Sequence, residues 1–266
     1  MEVNTKVNLS GLILDNPVIP ASGTFGFGKE YVDFYDINIL GSISIKGTTV
    51  QRRKGNPQPR IAECYSGLIN SVGLENPGME NVIQKELKDL EKIYRKPVIA
   101  NISGFSIEEY VTLAREMDQV DNVGIIEVNI SCPNVDHGGL AFGTNADNVR
   151  ELTKKIKEVT TKPVYMKLSP NVTDIKEIAR AAEEGGADGI SLINTLMGMR
   201  IDINRRKPVI ANKKGGFSGP AIFPVALRMV YEVYEATNLP IIGIGGISSA
   251  EDVIEMMMAG ATAVQI

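Results

Sequence analysis

A closed (β/α)8 barrel is the fold this 266-residue sequence predicts, on three observations. Eight short runs are apolar throughout instead of alternating, as strands buried on both faces are. Helical patterns fill most of the gaps between them, and one strand–helix–strand plan occurs twice. Alternating strands and helices give a parallel sheet with right-handed crossovers. Eight strands with a duplicated unit favour closure over an open doubly wound sheet, and about 250 residues is a usual barrel size.

The strand runs, in chain order, are Pro17-Val18-Ile19, residues 39–45, Pro97-Val98-Ile99-Ala100, residues 124–130, Pro163-Val164-Tyr165-Met166, residues 189–193, Pro240-Ile241-Ile242 and residues 263–266. A ninth run, Pro208-Val209-Ile210-Ala211, is flanked by Lys- and Gly-rich stretches and is assigned to a loop. Helical faces are formed by Tyr110, Leu113, Ala114 and Met117, by Val149, Leu152, Ile156 and Val159, and by Ile175, Ile178, Ala179 and Ala182. Ser106 with Glu109, and Ser248 with Glu251, have the spacing of capping boxes at helix starts. The duplicated plan runs over 163–193 to Gly186-Ala187-Asp188-Gly189, and over 240–266 to Gly260-Ala261-Thr262-Ala263; each copy is the size of a βαβ unit. No composition break marks a linker, so one domain over 1–266 is expected.

Composition excludes several classes. At 43% hydrophobic and 23% charged residues the chain is ordinary for a globular protein, neither disordered nor disulfide-stapled. No apolar run reaches the roughly 18 residues of a membrane span, and residues 1–9 are too polar for a signal peptide. A net charge of −4 argues against nucleic acid as the main partner. Two cysteines in so long a chain suggest free thiols in a reducing compartment, so a cytoplasmic protein is expected.

A barrel builds its active site at the C-terminal ends of its strands. Here those ends carry Ser22-Gly23, Lys46-Gly47, Asn101, Asn129 with Ser131-Cys132, Lys167, Asn194-Thr195 and Gly243-Ile244-Gly245-Gly246. Singly, a Lys at a strand end is often only solvated and an Asn often only turns the chain. Together they describe a pocket of amides and donors with two lysines, suited to an anionic, ring-like ligand. The glycines after the seventh strand serve a tight turn, or let backbone N–H groups approach a phosphate ahead of a helix starting near Ser248. Their position, where barrels commonly bind phosphate, favours the second.

Cys132 follows the fourth strand and opens a glycine-rich loop over 136–143, where a lid could carry a thiolate over a ligand as nucleophile or base. Cys64 has no polar constellation near it in sequence and reads as structural. His137 could tune Cys132 but reads better as a surface loop residue; with two cysteines it has no metal-ligand spacing. Met256-Met257-Met258 reads as helix core.

Nearly the whole chain resembles the class 1 dihydroorotate dehydrogenases and is most similar to the class 1B, NAD-linked catalytic subunit. The stretches that carry the resemblance are Asn16-Pro17-Val18, Ala21-Ser22-Gly23-Thr24, Lys46-Gly47-Thr48, Asn70-Ser71-Val72-Gly73-Leu74-Glu75-Asn76-Pro77-Gly78, Asn129-Ile130-Ser131-Cys132-Pro133-Asn134, Lys167-Leu168-Ser169-Pro170-Asn171, Ile193-Asn194-Thr195, residues 216–220 and Gly243-Ile244-Gly245-Gly246. The resemblance implies FMN bound by Ser22, Lys46, Gly47, Asn101, Asn129, Lys167, Ile193, Gly219, Gly245 and Gly246. It implies dihydroorotate bound by Lys46, Asn70, Ser71, Val72, Gly73, Leu74, Asn129, Asn194 and Thr195, with Cys132 as catalytic base. The implied reaction is oxidation of dihydroorotate to orotate in pyrimidine biosynthesis.

The loop over 135–143 is similar to the NAD-linked type. That implies a partner subunit carrying FAD and a [2Fe-2S] cluster, and a homodimer core within a heterotetramer. With two cysteines, this chain cannot bind such a cluster itself. A membrane-associated class 2 enzyme would have an N-terminal extension and a Ser base, and neither is seen. The alternatives are a fumarate-using class 1A enzyme, another FMN barrel oxidoreductase acting on pyrimidines, and a non-catalytic barrel that binds a phosphorylated ligand. One departure is the end at Ile266, in or just after the eighth strand. Members of the family continue through a Gly-Thr phosphate contact and a closing helix, so the sequence is expected to be part of a longer protein, lacking the last helix of the barrel.

Overall fold

The computed structural model describes residues 3–131 and 142–266. Seven parallel strands lie side by side in the order Val18–Ile19, Ala263–Gln265, Ile241–Ile244, Gly189–Leu192, Val164–Lys167, Val123–Asn129 and Val98–Ile102. Residues 41–48 close the ring. On one side Gly41 N donates to Val18 O at 2.9 Å and Ser44 N to Pro20 O at 3.3 Å; on the other, Ile45 N donates to Ile99 O at 3.0 Å and Thr48 N to Asn101 O at 2.9 Å. All eight expected strands are therefore in the barrel. The second begins later than the sequence suggests, because Ile37–Ile39 is a 3-10 turn that leaves Ile39 exposed. From residue 42 the chain alternates, with Ile43 and Ile45 in the layer under the helices.

The predicted helical faces are the buried ones. Ile107–Asp118 buries Tyr110, Leu113, Ala114 and Met117; Ala146–Lys157 buries Val149, Leu152 and Ile156; Ile175–Glu184 buries Ile178, Ala179 and Ala182. Ser106 caps the first of these, its side chain accepting from Glu109 N at 3.3 Å. The last helix, Ala250–Met258, departs from expectation: its cap is Ser249 and its box partner Asp252, each one residue later than predicted. The Asp252 carboxylate reaches back to accept from Ser249 N at 3.0 Å and Ser248 N at 2.7 Å. Ser249→Ala should cost about 1 kcal/mol, a fall of about 2–4 °C in melting temperature by calorimetry. Of the three methionines expected in the core only Met256 is buried, and Met258 is 82% exposed, since neighbours on a helix face different sides.

Two features were not foreseen. Val7–Leu9 and Leu12–Leu14 form a hairpin joined by Ser10 and Gly11, both at positive φ, as a two-residue primed turn requires. Its Leu9 and Leu14 are buried with Ile19, Ile99, Ile125, Tyr165, Ile242 and Ala263, which fill the N-terminal half of the barrel interior. Ser10 Oγ lies 3.0 Å from the Tyr165 hydroxyl and donates to Asp188 O at 2.7 Å; burial pushes the Tyr165 phenol well above its ordinary range. The second feature is a four-stranded antiparallel sheet, ordered Leu196–Met199, Lys214–Ser218, Gly67–Asn70 and Ile61–Cys64. The run at 208–211 is outside the barrel, as expected, but it is not only loop. Pro208 pairs with Ile201 in a short ladder, and Ile210 is buried with Ala62 and Ile69 under the side sheet. Cys64, half-buried, packs against the same cluster.

Candidate active site

The C-terminal ends of the barrel strands open into one cavity of about 530 Å³. Ser22 and Gly23 reach it from the first strand, Lys46 and Gly47 from the second, Asn101 from the third, Asn129 from the fourth and Lys167 from the fifth. Ile193, Asn194 and Thr195 follow from the sixth, with Gly245 and Gly246 from the seventh. The side sheet and its loops form a further wall with Ile61, Leu68, Asn70, Val72, Gly73 and Leu74, and Ser218 and Gly219 lie beside them. Mixed apolar walls with a few directed polar groups are what a small heterocycle needs.

Of the residues expected to bind FMN or dihydroorotate, Ser71 is the one described residue that does not line the cavity. It is buried behind the wall, where its N donates to Arg60 O at 2.7 Å and its hydroxyl accepts from Asn56 Nδ2 at 3.1 Å. The chain alternates sides through the loop, and this residue faces away while Asn70 and Val72 face in. Cys132 and His137 lie outside the described residues. The chain arrives at residue 132 from Ser131, which is fully buried and ties two lining residues together: Asn194 Nδ2 donates to Ser131 Oγ at 2.7 Å, and Ser131 Oγ donates to Asn129 Oδ1 at 2.8 Å. Asn194 Oδ1 accepts from Thr195 N at 2.8 Å. These bonds set both amides, and Asn129 is left to offer its Nδ2 donors. The strand under it is braced from the helix layer, where the Tyr110 hydroxyl donates to Asn129 O at 2.8 Å.

Gly245 and Gly246 both have positive φ, +128° and +72°. A Cβ on Gly246 would lie 2.7 Å from Phe223 N and 2.8 Å from Gly219 O, so the turn is packed against the start of the helix Phe223–Ala236. That helix and the 3-10 turn Pro220–Ile222 before it have no side-chain cap. The N–H groups expected at Ser248 and its neighbour Ser249 are instead taken by Asp252. The backbone suited to an anion is therefore the glycine turn with the uncapped helix start opposite, and not the capped helix that follows.

Sequence reasoning missed Glu127 and Gln265. Gln265 lines the cavity from the eighth strand, and Glu127 lies beneath it on the fourth, both fully buried. A signal was present: Glu127 and Asn129 are two apart in an otherwise apolar run, the spacing that puts both on one face of a strand.

A flavin mononucleotide fits the residues present. Among the described residues, Asn101 Oδ1 and Gln265 Oε1 are buried at the cavity without a partner, as acceptors awaiting a ligand's N–H or O–H groups are, and the positive-φ turn of Gly245 and Gly246 lines the same cavity.

The sequence profile of the family described as dihydroorotate dehydrogenase matches residues 4–266. The "Dihydroorotate dehydrogenase B (NAD(+)), catalytic subunit" of Bacillus cytotoxicus is 58% identical over 261 residues, covering 98% of this chain and 84% of the relative. Its counterpart in Halalkalibacterium halodurans is 57% identical over 260 residues, covering 98% and 85%. The Bacillus cereus protein of the same description is 58% identical over 261 residues, covering 98% and 84%.

Proposed function

This chain belongs to the dihydroorotate dehydrogenase family, class 1B, and we propose that its barrel-mouth cavity holds FMN and dihydroorotate face to face while Cys132 takes the substrate proton. The reaction is the oxidation of dihydroorotate to orotate in pyrimidine biosynthesis, linked to NAD. The carrying observation is the convergence of seven described strand ends bearing Ser, Lys, Asn and Gly on one cavity, in a chain 58% identical to a protein described as a dihydroorotate dehydrogenase B catalytic subunit.

Bound FMN supplies a two-electron acceptor: the C5–H and C6–H bonds of the substrate break, a double bond forms between them, the C6 hydrogen leaves with its electron pair and the C5 hydrogen leaves as a proton. Everything else falls to the chain's own residues. Cys132 as thiolate receives the C5 proton on Sγ. Asn129 and Asn194, fixed through Ser131, orient the pyrimidine ring by paired hydrogen bonds with Asn70. Lys46 opposes the substrate carboxylate and reaches the flavin side as well. Lys167 stands where negative charge grows when a flavin is reduced. The side-sheet wall, with Leu74 and Val72, screens the reacting face from water.

Electrons leave for NAD through a partner subunit carrying FAD and a [2Fe-2S] cluster, around a homodimeric core of this chain in the cytoplasm. Residues 1–266 act as one FMN-binding domain. Support for the partner comes from the relatives' description as a catalytic subunit. An anaerobic spectrum tests the reading: the purified protein should show flavin absorbance that bleaches on adding dihydroorotate, and a colourless protein, or one that dihydroorotate leaves oxidised, overturns it. Ser131→Ala should loosen both asparagine amides; losing about 1–1.5 kcal/mol of substrate positioning raises KM by about tenfold, measured in steady state on FMN-saturated protein.

A further inference from the structure

Glu127 is fully buried inside the barrel, and side chains from four other strands converge on it. Its Oε2 accepts from Ser44 Oγ at 3.2 Å and from Asn101 Nδ2 at 2.5 Å, and Lys167 Nζ lies 3.8 Å away. Its Oε1 accepts from Gln265 Nε2 at 2.8 Å, so that the fourth strand is joined to the eighth across the bore. A carboxylate only accepts. Each amide must therefore turn its NH2 toward Glu127, which fixes where its carbonyl goes. Among the described residues, Asn101 Oδ1 and Gln265 Oε1 both end without a partner, and both residues line the cavity. An unpaired buried acceptor costs about 1–3 kcal/mol, so two of them held in place at the cavity mark a site built for a ligand's donors.

We propose that Glu127 is a positioning residue for the flavin: it holds Asn101 and Gln265 with their carbonyls toward the bound ring, and it offsets the positive charge that Lys167 presents there. The proposal rests on the FMN reading of the cavity. It adds a role for two residues, Glu127 and Gln265, that the site as expected from sequence does not contain.

Glu127→Gln removes the negative partner and keeps the volume. Lys167 then faces the ring unopposed and favours the reduced, more negative flavin. The ratio of reduced- to oxidised-FMN affinity should rise about tenfold, a shift of about +30 mV for a two-electron couple, read by anaerobic redox titration of the full-length flavoprotein. In a Lys167→Met background the same substitution should change the ratio less than twofold, because a buried carboxyl left without its cation neutralises by taking up a proton and Glu127→Gln then changes no charge. A packing role predicts the same change in both backgrounds.

If the wild-type protein binds no FMN, the flavin reading fails and takes this inference with it. If it binds FMN but Glu127→Gln leaves the ratio within twofold of wild type, or shifts it equally in both backgrounds, the flavin reading stands and the positioning role is overturned. Should Glu127→Gln not fold, the double variant with Lys167→Met should recover soluble protein, since removing one partner of a buried ion pair strands the other. A double variant as insoluble as the single one overturns the role.

Discussion

Cys132→Ala is expected to retain its flavin and to lose at least two orders of magnitude in turnover. A positioned general base contributes about 10² to 10⁴ in rate, and an alanine can accept no proton. The residues expected to hold FMN are spread over the ends of the first seven strands and Gly219 and do not include Cys132, so the spectrum of the bound flavin should survive the change. Stopped-flow reduction by dihydroorotate reads the step directly. A variant reduced at a near-normal rate would mean that another group takes the C5 proton, and the base assignment would fall. Cys132→Ser provides a graded companion: a hydroxyl is a weaker base near neutral pH, and its rate should lie between the two and climb as pH rises.

The second large effect is expected at Gly246. Its φ of +72° disfavours any side chain, and a Cβ there would meet three backbone atoms of Phe223 and Gly219 between 2.7 and 2.9 Å. Backbone cannot rotate aside as a side chain tip can. Gly246→Ala should therefore push the turn away from the start of the helix Phe223–Ala236 and separate the two halves of the anion cradle. FMN affinity should fall by at least a hundredfold, about 2.7 kcal/mol, with a loss of about 2–3 kcal/mol in stability. Gly11→Ala is the matched control, because Gly11 also has positive φ but a Cβ there meets nothing within 4 Å. It should cost only about 1 kcal/mol of strain and leave FMN titrations of the apoprotein unchanged. Equal losses of affinity in both variants would remove Gly246 from the flavin site.

The barrel was legible because its strands are buried on both faces and so read as unbroken apolar words, with helical patterns spaced between them. Their ends were legible too, since a Lys or Asn directly after such a run has few structural reasons to be there. The side sheet was not. Its strands are short, half-exposed and interrupted by Gly67, Gly198, Gly215 and Gly216, so their sequences carry no clear alternation of apolar and polar residues. The N-terminal hairpin escaped for a similar reason: three-residue strands fall below the length at which alternation can be counted. The capping box slipped by one because serine occurs twice, at 248 and 249, and only the carboxylate that reaches back distinguishes them. Glu127 was passed over because one charged letter in an apolar strand looks like an exception; in space it is a hub.

The hairpin at the base has a further consequence. Leu9, Leu14 and Tyr165 stopper the cylinder with hydrocarbon at the end remote from the cavity, so among the described residues the vessel has a single neck. Reactant must enter and product must leave by the same door, and each turnover waits for the last visitor to depart. Orotate should therefore compete with dihydroorotate for that doorway, and a redox partner that docked squarely over it would have to leave a passage.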